Sequence, residues 1–327
     1  MTGTTSCLVA MYHYVRDTAT TAFPDIRALS PTLFEQQLDW ISRDYTIVGV
    51  DAIERAMTGE RALPPNAALL TFDDGFVDHH ETVLPVLRRR GLTGVFFLAF
   101  DACGPSPRVL GVHKTQFLLA RLGVERLAAA VRDACRTDLV TETSRARVAA
   151  SGADRWERAD ERAIKDLLNH ELPMAESERV LEALFETHLG SERTFASALY
   201  LSEPMIREMA SAGLAFGYHT RTHPMLSRLT PDAQADELRD GVGWIRDLTG
   251  QARVSFCYPW GGPRTYTPDT VRLLEGAGYS VAFNTVRRTC VVTRDGRFEL
   301  PRLDTRDLPP YTTGVPVDAP ASPATHV

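Results

Sequence analysis

The amino-acid sequence predicts an α/β fold in which parallel strands alternate with helices and close into a barrel. Three observations carry that reading. Short apolar runs recur at residues 7–15, 67–72, 94–99, 214–219, 254–258 and 279–284. The stretches between them open on Ser or Thr with Pro close behind, as at Ser30-Pro31, Thr230-Pro231 and Thr267-Pro268, where a hydroxyl caps the helix and Pro fits its first turn. Glycines then end these stretches at Gly91, Gly213, Gly250 and Gly278. About seven or eight such units favour a closed barrel. A doubly wound open sheet is the weaker alternative, since no Gly-rich phosphate loop is present.

In chain order, residues 7–15 (CLVAMYHYV) read as the first strand. Ser30-Pro31 opens a helix with Phe34, Leu38 and Ile41 as its apolar stripe. Residues 46–50 and 67–72 are the second and third strands. A helix carrying Val83, Leu84 and Leu87 leads to the fourth, 94–99. After residue 200 the unit returns, with helices opened by Ser202-Glu203-Pro204, Thr230-Pro231 and Thr267-Pro268 preceding strands 214–219, 254–258 and 279–284; the helix after Thr230 carries Leu238, Val242, Ile245 and Leu248 on one face. Residues 104–199 break the rhythm and read as helices at 116–122, 126–134, 160–170 and 177–188. The barrel is therefore expected from two segments, 1–103 and 200–308. The helical insertion 104–199 is expected to serve as a lid or an oligomer surface, and the Pro-rich tail 309–327 to be disordered.

Composition narrows the function. Among 327 residues, 44% hydrophobic and 24% charged is ordinary for a globular chain, and a net charge of -6 argues against a nucleic-acid partner. Five scattered cysteines without a CxxC read as reduced and mostly buried. No run approaches the ~20 apolar residues of a membrane span. No basic and apolar leader pattern opens the sequence, so a cytoplasmic setting is expected.

Two motifs carry chemistry. Strand 67–72 runs into Asp73-Asp74-Gly75, placing two carboxylates and a turn glycine at a strand's C-terminal end. Neighbouring strand side chains face opposite ways, so both aspartates can serve one site only where the strand is ending. Adjacent carboxylates repel unless a cation lies between them. Downstream, His219-Thr220-Arg221-Thr222-His223 sets two histidines four apart on a turn, within reach of one metal. Asp74, His219 and His223 would form a two-His, one-carboxylate site that leaves coordination positions open.

With Phe256-Cys257-Tyr258-Pro259-Trp260-Gly261, these motifs resemble the first three motifs of the polysaccharide deacetylase (NodB-homology, carbohydrate esterase family 4-like) family. The resemblance covers residues 7–103 and 200–305. It implies a distorted (β/α) barrel, a divalent metal, commonly Zn2+, and hydrolysis of an N-acetyl amide on a sugar. Carried over, Asp74, His219 and His223 resemble the metal ligands. Asp73 resembles the base that takes a proton from metal-bound water. The backbone N–H of Trp260 would face the developing oxyanion, and its ring could stack on a sugar.

Two departures stand out. Where many members carry a base-orienting arginine, this chain has Phe, Cys and Tyr before the proline, and Arg302 is the substitute considered for Asp73. The usual late histidine acid is also missing. His13, at the end of the first strand, resembles the early Tyr-His motif of the exopolysaccharide-deacetylase branch and is the candidate acid, with His113 as runner-up. His79 and His80 are expected to be solvated.

The resulting expectation is a metal-dependent N-deacetylase, a hydrolase of carbon–nitrogen bonds other than peptide bonds, acting on an N-acetylated sugar or glycoside. A deformylase or another C–N hydrolase of this fold is the nearest alternative, followed by a non-catalytic sugar-binding relative. A homo-oligomer through the insertion is also allowed.

Overall fold

The first apolar run becomes strand β1 (Ser6–Tyr12) of the computed structural model, which describes residues 6–135, 159–313 and 315. The other strands are β2 (Thr46–Ile47), β3 (Ala67–Phe72), β4 (Val95–Leu98), β5 (Ala215–Tyr218), β6 (Ser255–Cys257), β7 (Ala282–Phe283), β8 (Cys290–Val291) and β9 (Leu303–Asp304). They pair in the order β7-β6-β5-β4-β3-β1-β8, with β2 on β3 and β9 on β1. All of these pairings are parallel except that of β1 with β8. Leu300 bridges Phe283 of β7, and Leu303 pairs with Ala10 of β1, so the segment containing Arg302 returns the sheet onto its first strand. This is the barrel that the alternation of strands and helices predicted, with helices following the strands.

Alternation along the strands decides what lies inside. Cys7 and Val9 of β1, Ala67 and Leu69 of β3, Val95 and Phe97 of β4, Cys257, Phe283 and Leu300 form one buried cluster, joined by Val50 and Ile53. The opposite faces meet the helices: Tyr12 lies edge-on to Phe34 at 5.2 Å, and Phe72 stacks on Phe96 at 4.6 Å. Fully burying such side chains stabilises by about 1.5–3 kcal/mol each. Thr71 and Asp73 continue the inward parity of Ala67 and Leu69, which carries the row from apolar packing into polar chemistry.

The chain divides into two units. Met1–Asp17, Ala28–Ser106 and Leu199–Val327 form the barrel unit, and Thr18–Arg27 with Pro107–Ala198 form the other. In the second unit, the helical stretch Gly111–Ala134, broken at Gly123 (φ 74), and helices Ala159–Asp166 and Met174–Leu189 bury Leu118, Leu127, Val131, Ile164, Val180 and Leu181 against one another. Phe23 brings the short segment 18–27 into this unit, lying edge-on to Phe117 at 5.0 Å and Phe195 at 5.8 Å. No helix among the described residues is long and apolar enough to cross a membrane. The tail from residue 316 onward lies outside the described residues.

Two local expectations change. The second strand is only two residues long, because Val50 begins helix Val50–Met57, whose Val50 and Ile53 pack into the barrel cluster. The helix after Thr230 is two helices, Pro231–Leu238 and Gly241–Thr249. Asp240 turns the chain at φ 64, and Gly241 lies so close to Tyr218 and Tyr279 that a Cβ there would collide with the Tyr218 ring and the Tyr279 hydroxyl.

Gly217, the third residue of β5, which leads to His219, has equally little room. A Cβ would meet the Phe97 ring at 2.5 Å and the Ser255 carbonyl at 2.7 Å. Gly217→Ala is expected to lower unfolding free energy by about 1–3 kcal/mol, the usual cost of overpacking a core. Urea denaturation measures it, and an unchanged midpoint would show that Phe97 can give way at no cost.

Candidate active site

Asp73 and Asp74 follow β3, His219 and His223 follow β5, and Trp260 follows β6, so these residues gather at the C-terminal ends of the strands. Asp74 has φ 72 and Gly75 φ 67, a left-handed pair that ends the strand alternation and lets both carboxylates face one place. Glycine is required at 75 twice over, since a Cβ would also lie 2.4 Å from the Cys103 thiol. Thr220, His223 and Trp260 share the left-handed conformation, with φ 64, 63 and 65. Four of the six non-glycine residues with positive φ among the described residues thus lie at this site, where such strain is concentrated in enzymes.

The His219–His223 turn is held from several sides. Glu237 accepts hydrogen bonds from the backbone N–H groups of Arg221 and Thr222, both at 2.9 Å, and from the Thr222 hydroxyl at 2.8 Å. The His223 amide donates to Thr220 Oγ1 at 3.0 Å. The amides of Phe100 and Asp101 donate to the carbonyls of Thr220 and Arg221. Glu237 was invisible to motif reading, because it lies fourteen residues after His223, in helix Pro231–Leu238.

His219 Nδ1 donates to the Cys257 carbonyl at 2.7 Å. A carbonyl can only accept, so in the neutral ring Nε2 carries the lone pair and faces Asp74. His219 Nε2 and His223 Nε2 lie 3.4 Å and 3.5 Å from Asp74 Oδ1. Donor atoms of Asp74, His219 and His223 all fall within 4.8 Å of one another. Ligands about 2.0–2.1 Å from a tetrahedral ion stand roughly 3.3 Å apart. The spacing and the donor set of two imidazoles and a carboxylate therefore fit a divalent metal.

Asp73 lies deeper, against Arg302. Arg302 Nη1 and Nη2 donate to Asp73 Oδ1 and Oδ2 at 2.8 Å and 2.7 Å, a bidentate pair. The guanidinium also donates to Thr71 Oγ1, the Asn284 carbonyl and Cys257 Sγ. Arg302 is not a surface residue, at 1% exposed. Burial alone would raise the Asp73 carboxyl, but the Arg302 charge and its hydrogen bonds prevail and pull it down to about 2. Burial likewise pushes the Cys257 thiol up, so it sits protonated beside this pair. Cys257 falls where the motif's arginine was sought, and the charge comes instead from the segment closing the barrel.

His13 Nε2 lies 3.8 Å from Asp73 Oδ2, and its side chain is 42% exposed. The Trp260 ring stands 5.9 Å from that of His223, and the Trp260 carbonyl accepts from Thr285 Oγ1 at 3.0 Å. His113 belongs to the other unit, where it is buried in helix Gly111–Ala134. His80 pairs with Glu208 at 2.8 Å. His79, expected to be solvated, is fully buried among Phe72, Phe76 and Phe96. Phe72 and Phe76 come from its own stretch, but Phe96 is supplied by β4, which no local pattern reveals.

Comparison with known proteins finds relatives by sequence and by fold. The family model for polysaccharide deacetylase matches residues 175–282, a span containing His219, His223 and the Cys257–Trp260 loop. YxkH of Bacillus subtilis (strain 168), named provisionally as a polysaccharide deacetylase, is 30% identical over 86 residues. That match spans 26% of this chain and 30% of the relative's length. Streptococcus pyogenes deacetylase PplD, solved in complex with acetate, aligns with a TM-score of 0.55 at 17% identity, over 91% of this chain and 92% of that one. IcaB from Ammonifex degensii aligns at 0.51 with 19% identity, over 92% of each chain. At these identities the two structures establish the shared barrel fold.

The Asp73–Arg302 pair has a measurable signature. A carboxyl held near 2 rather than its ordinary 3.8 contributes stability above about pH 4, which is lost as pH falls towards 2. Arg302→Met leaves a buried carboxylate without its partner and is expected to cost about 3–5 kcal/mol. Urea unfolding between pH 2 and 7 checks both statements. The variant should lose the extra acid sensitivity between pH 4 and 2, and an unchanged profile would show that the pair does not hold the carboxylate.

Proposed function

Because this chain belongs to the polysaccharide deacetylase family, we propose that it hydrolyses the N-acetyl amide of an amino-sugar substrate with the aid of a divalent metal, Zn2+ being the first candidate. The observation that carries this reading is the convergence of three metal-type donors, within 4.8 Å of one another, beside an arginine-clamped carboxylate. A divalent ion held by Asp74, His219 and His223 would supply a lowered pKa for water, to about 7, and polarisation of the amide carbonyl.

The chain's own groups divide the proton work. Asp73, ionised by Arg302 over the working pH range, accepts a proton from the attacking water as its oxygen bonds to the carbonyl carbon. A carboxylate pulled so low is always available but is a weak base, so it suits a water acidified in the site. His13, close to the same oxygen of Asp73 yet half open to solvent, donates a proton to the amine nitrogen as the C–N bond breaks. Free amine and acetate result. The turn Pro259-Trp260-Gly261 is assigned to the developing oxyanion through the Trp260 backbone N–H, and the Trp260 ring to the sugar face. Acetate bound to PplD is the product expected of this reaction class.

Acetate release from N-acetylated sugars, nucleotide sugars and glycosides, with and without chelator, tests the activity. His219→Ala is expected to lose bound metal and turnover together, while Asp73→Asn keeps stoichiometric metal and loses turnover. Full metal and full turnover in His219→Ala would overturn the ligand assignment, and metal loss in Asp73→Asn would exchange the two aspartates' roles.

His13→Ala is expected to keep its metal and lower turnover by roughly 10²–10⁴-fold, the range for an acid–base residue. The basic limb of the pH–rate profile should disappear with it. Normal turnover in this variant would remove His13 from the mechanism.

A further inference from the structure

We propose that His79 and Asp78 are positioning residues that hold the segment bearing the acid, His13, against the carboxylate it works beside. This rests on the assignment of His13 as the acid. The segment 12–16 is laced to 73–79 at successive positions. The Tyr12 carbonyl accepts from the Asp73 amide at 2.9 Å. The His13 carbonyl accepts from His79 Nε2 at 3.0 Å. The Tyr14 ring stacks on Phe76 at 3.8 Å. The Val15 amide donates to Asp78 Oδ2 at 3.0 Å, and Arg16 Nε to the same oxygen at 2.7 Å. Arg16 Nη2 reaches the other Asp78 oxygen at 2.6 Å.

His79 is costly where it sits. Its ring is fully buried, with Phe72, Phe76 and Phe96 centroids 5.6, 5.9 and 5.4 Å away. Because the His13 carbonyl can only accept, Nε2 carries the proton. Nδ1 then has no hydrogen-bond partner among the described residues. Burial holds the ring neutral, lowering it to about 4. A buried polar atom left unsatisfied is a standing penalty that a phenylalanine or leucine would avoid. The one thing the histidine supplies that those residues cannot is the donor to His13. It begins a π-helical turn, His79–Val83, a local winding frequent at functional sites. The site thereby places base, ligand and acid on one scaffold, with Asp73, Asp74, Asp78 and His79 within a single turn region after β3.

His79→Phe keeps the aromatic volume and removes the donor, and His79→Gln restores an Nε2 donor at similar reach. Turnover of the substrate found by acetate release is expected to fall roughly 10- to 100-fold in His79→Phe, since a shift of about 1 Å can cost 10²-fold. KM, metal content and melting temperature should stay close to those of the parent, and His79→Gln should recover most of the loss. In the His13→Ala background, His79→Phe should add nothing, because its effect passes through His13. Full activity in His79→Phe, or losses that multiply in the double variant, would overturn the inference while leaving the acid assignment intact. A fully active His13→Ala would overturn the acid assignment and this inference with it. A crystal structure of His79→Phe supplies an arm that needs no substrate. His13 Nε2 should move away from its 3.8 Å position beside Asp73. An undisturbed ring would overturn the positioning role.

Discussion

The structure turns on one buried ion pair. Arg302 lies in the segment that returns the sheet from β7 to β1, and its guanidinium grips both oxygens of Asp73 at the end of β3. Neither charge could be buried alone, because desolvating an ion costs several kcal/mol before any partner offsets it. The remaining donors are used as well, on Thr71, the Asn284 carbonyl and Cys257. Closing the barrel and keeping the candidate base ionised are therefore the same interaction. A buried pair of this kind adds little net stability compared with well-packed apolar residues.

The metal-type cluster depends on strain in a different way. Asp74, Thr220, His223 and Trp260 all adopt left-handed backbone conformations that cost L-residues of order 1–3 kcal/mol each. Such conformations persist only where neighbours over-determine them. Here Glu237 clamps the 221–222 amides, Thr220 caps the His223 amide, and Phe100 and Asp101 bind the turn's carbonyls. The result is a set of donor side chains aimed at one point by rigid supports.

The interior of the barrel explains why the polar site stays local. Below it, alternate strand residues from Cys7 to Phe283 form a continuous apolar cluster, with Val50 and Ile53 packed against it. Thr71 and Asp73 extend the same row upward, so the polar groups occupy the last layer before solvent. His13 stands at that boundary, half exposed and 3.8 Å from Asp73.

By itself the sequence determined the class of fold, the metal-type donors and both aspartates' position at a strand end. These rest on local signals: apolar runs of strand length, Ser/Thr-Pro helix starts, and motifs whose members lie within five residues of each other. The arginine partner of Asp73 was legible only as a candidate, because 229 residues separate the two and nothing local tells a buried guanidinium from a surface one. The break at Asp240 and the helix beginning at Val50 escaped pattern reading because packing against Tyr218, Tyr279 and the barrel cluster overrides local propensity. Only the tertiary structure decided that His79 is buried and that Glu237 holds the histidine turn. Phe96 and the His13 carbonyl reach His79, and Glu237 reaches the histidine turn, from other parts of the chain, and burial and hydrogen bonding are properties of that assembly rather than of any one segment.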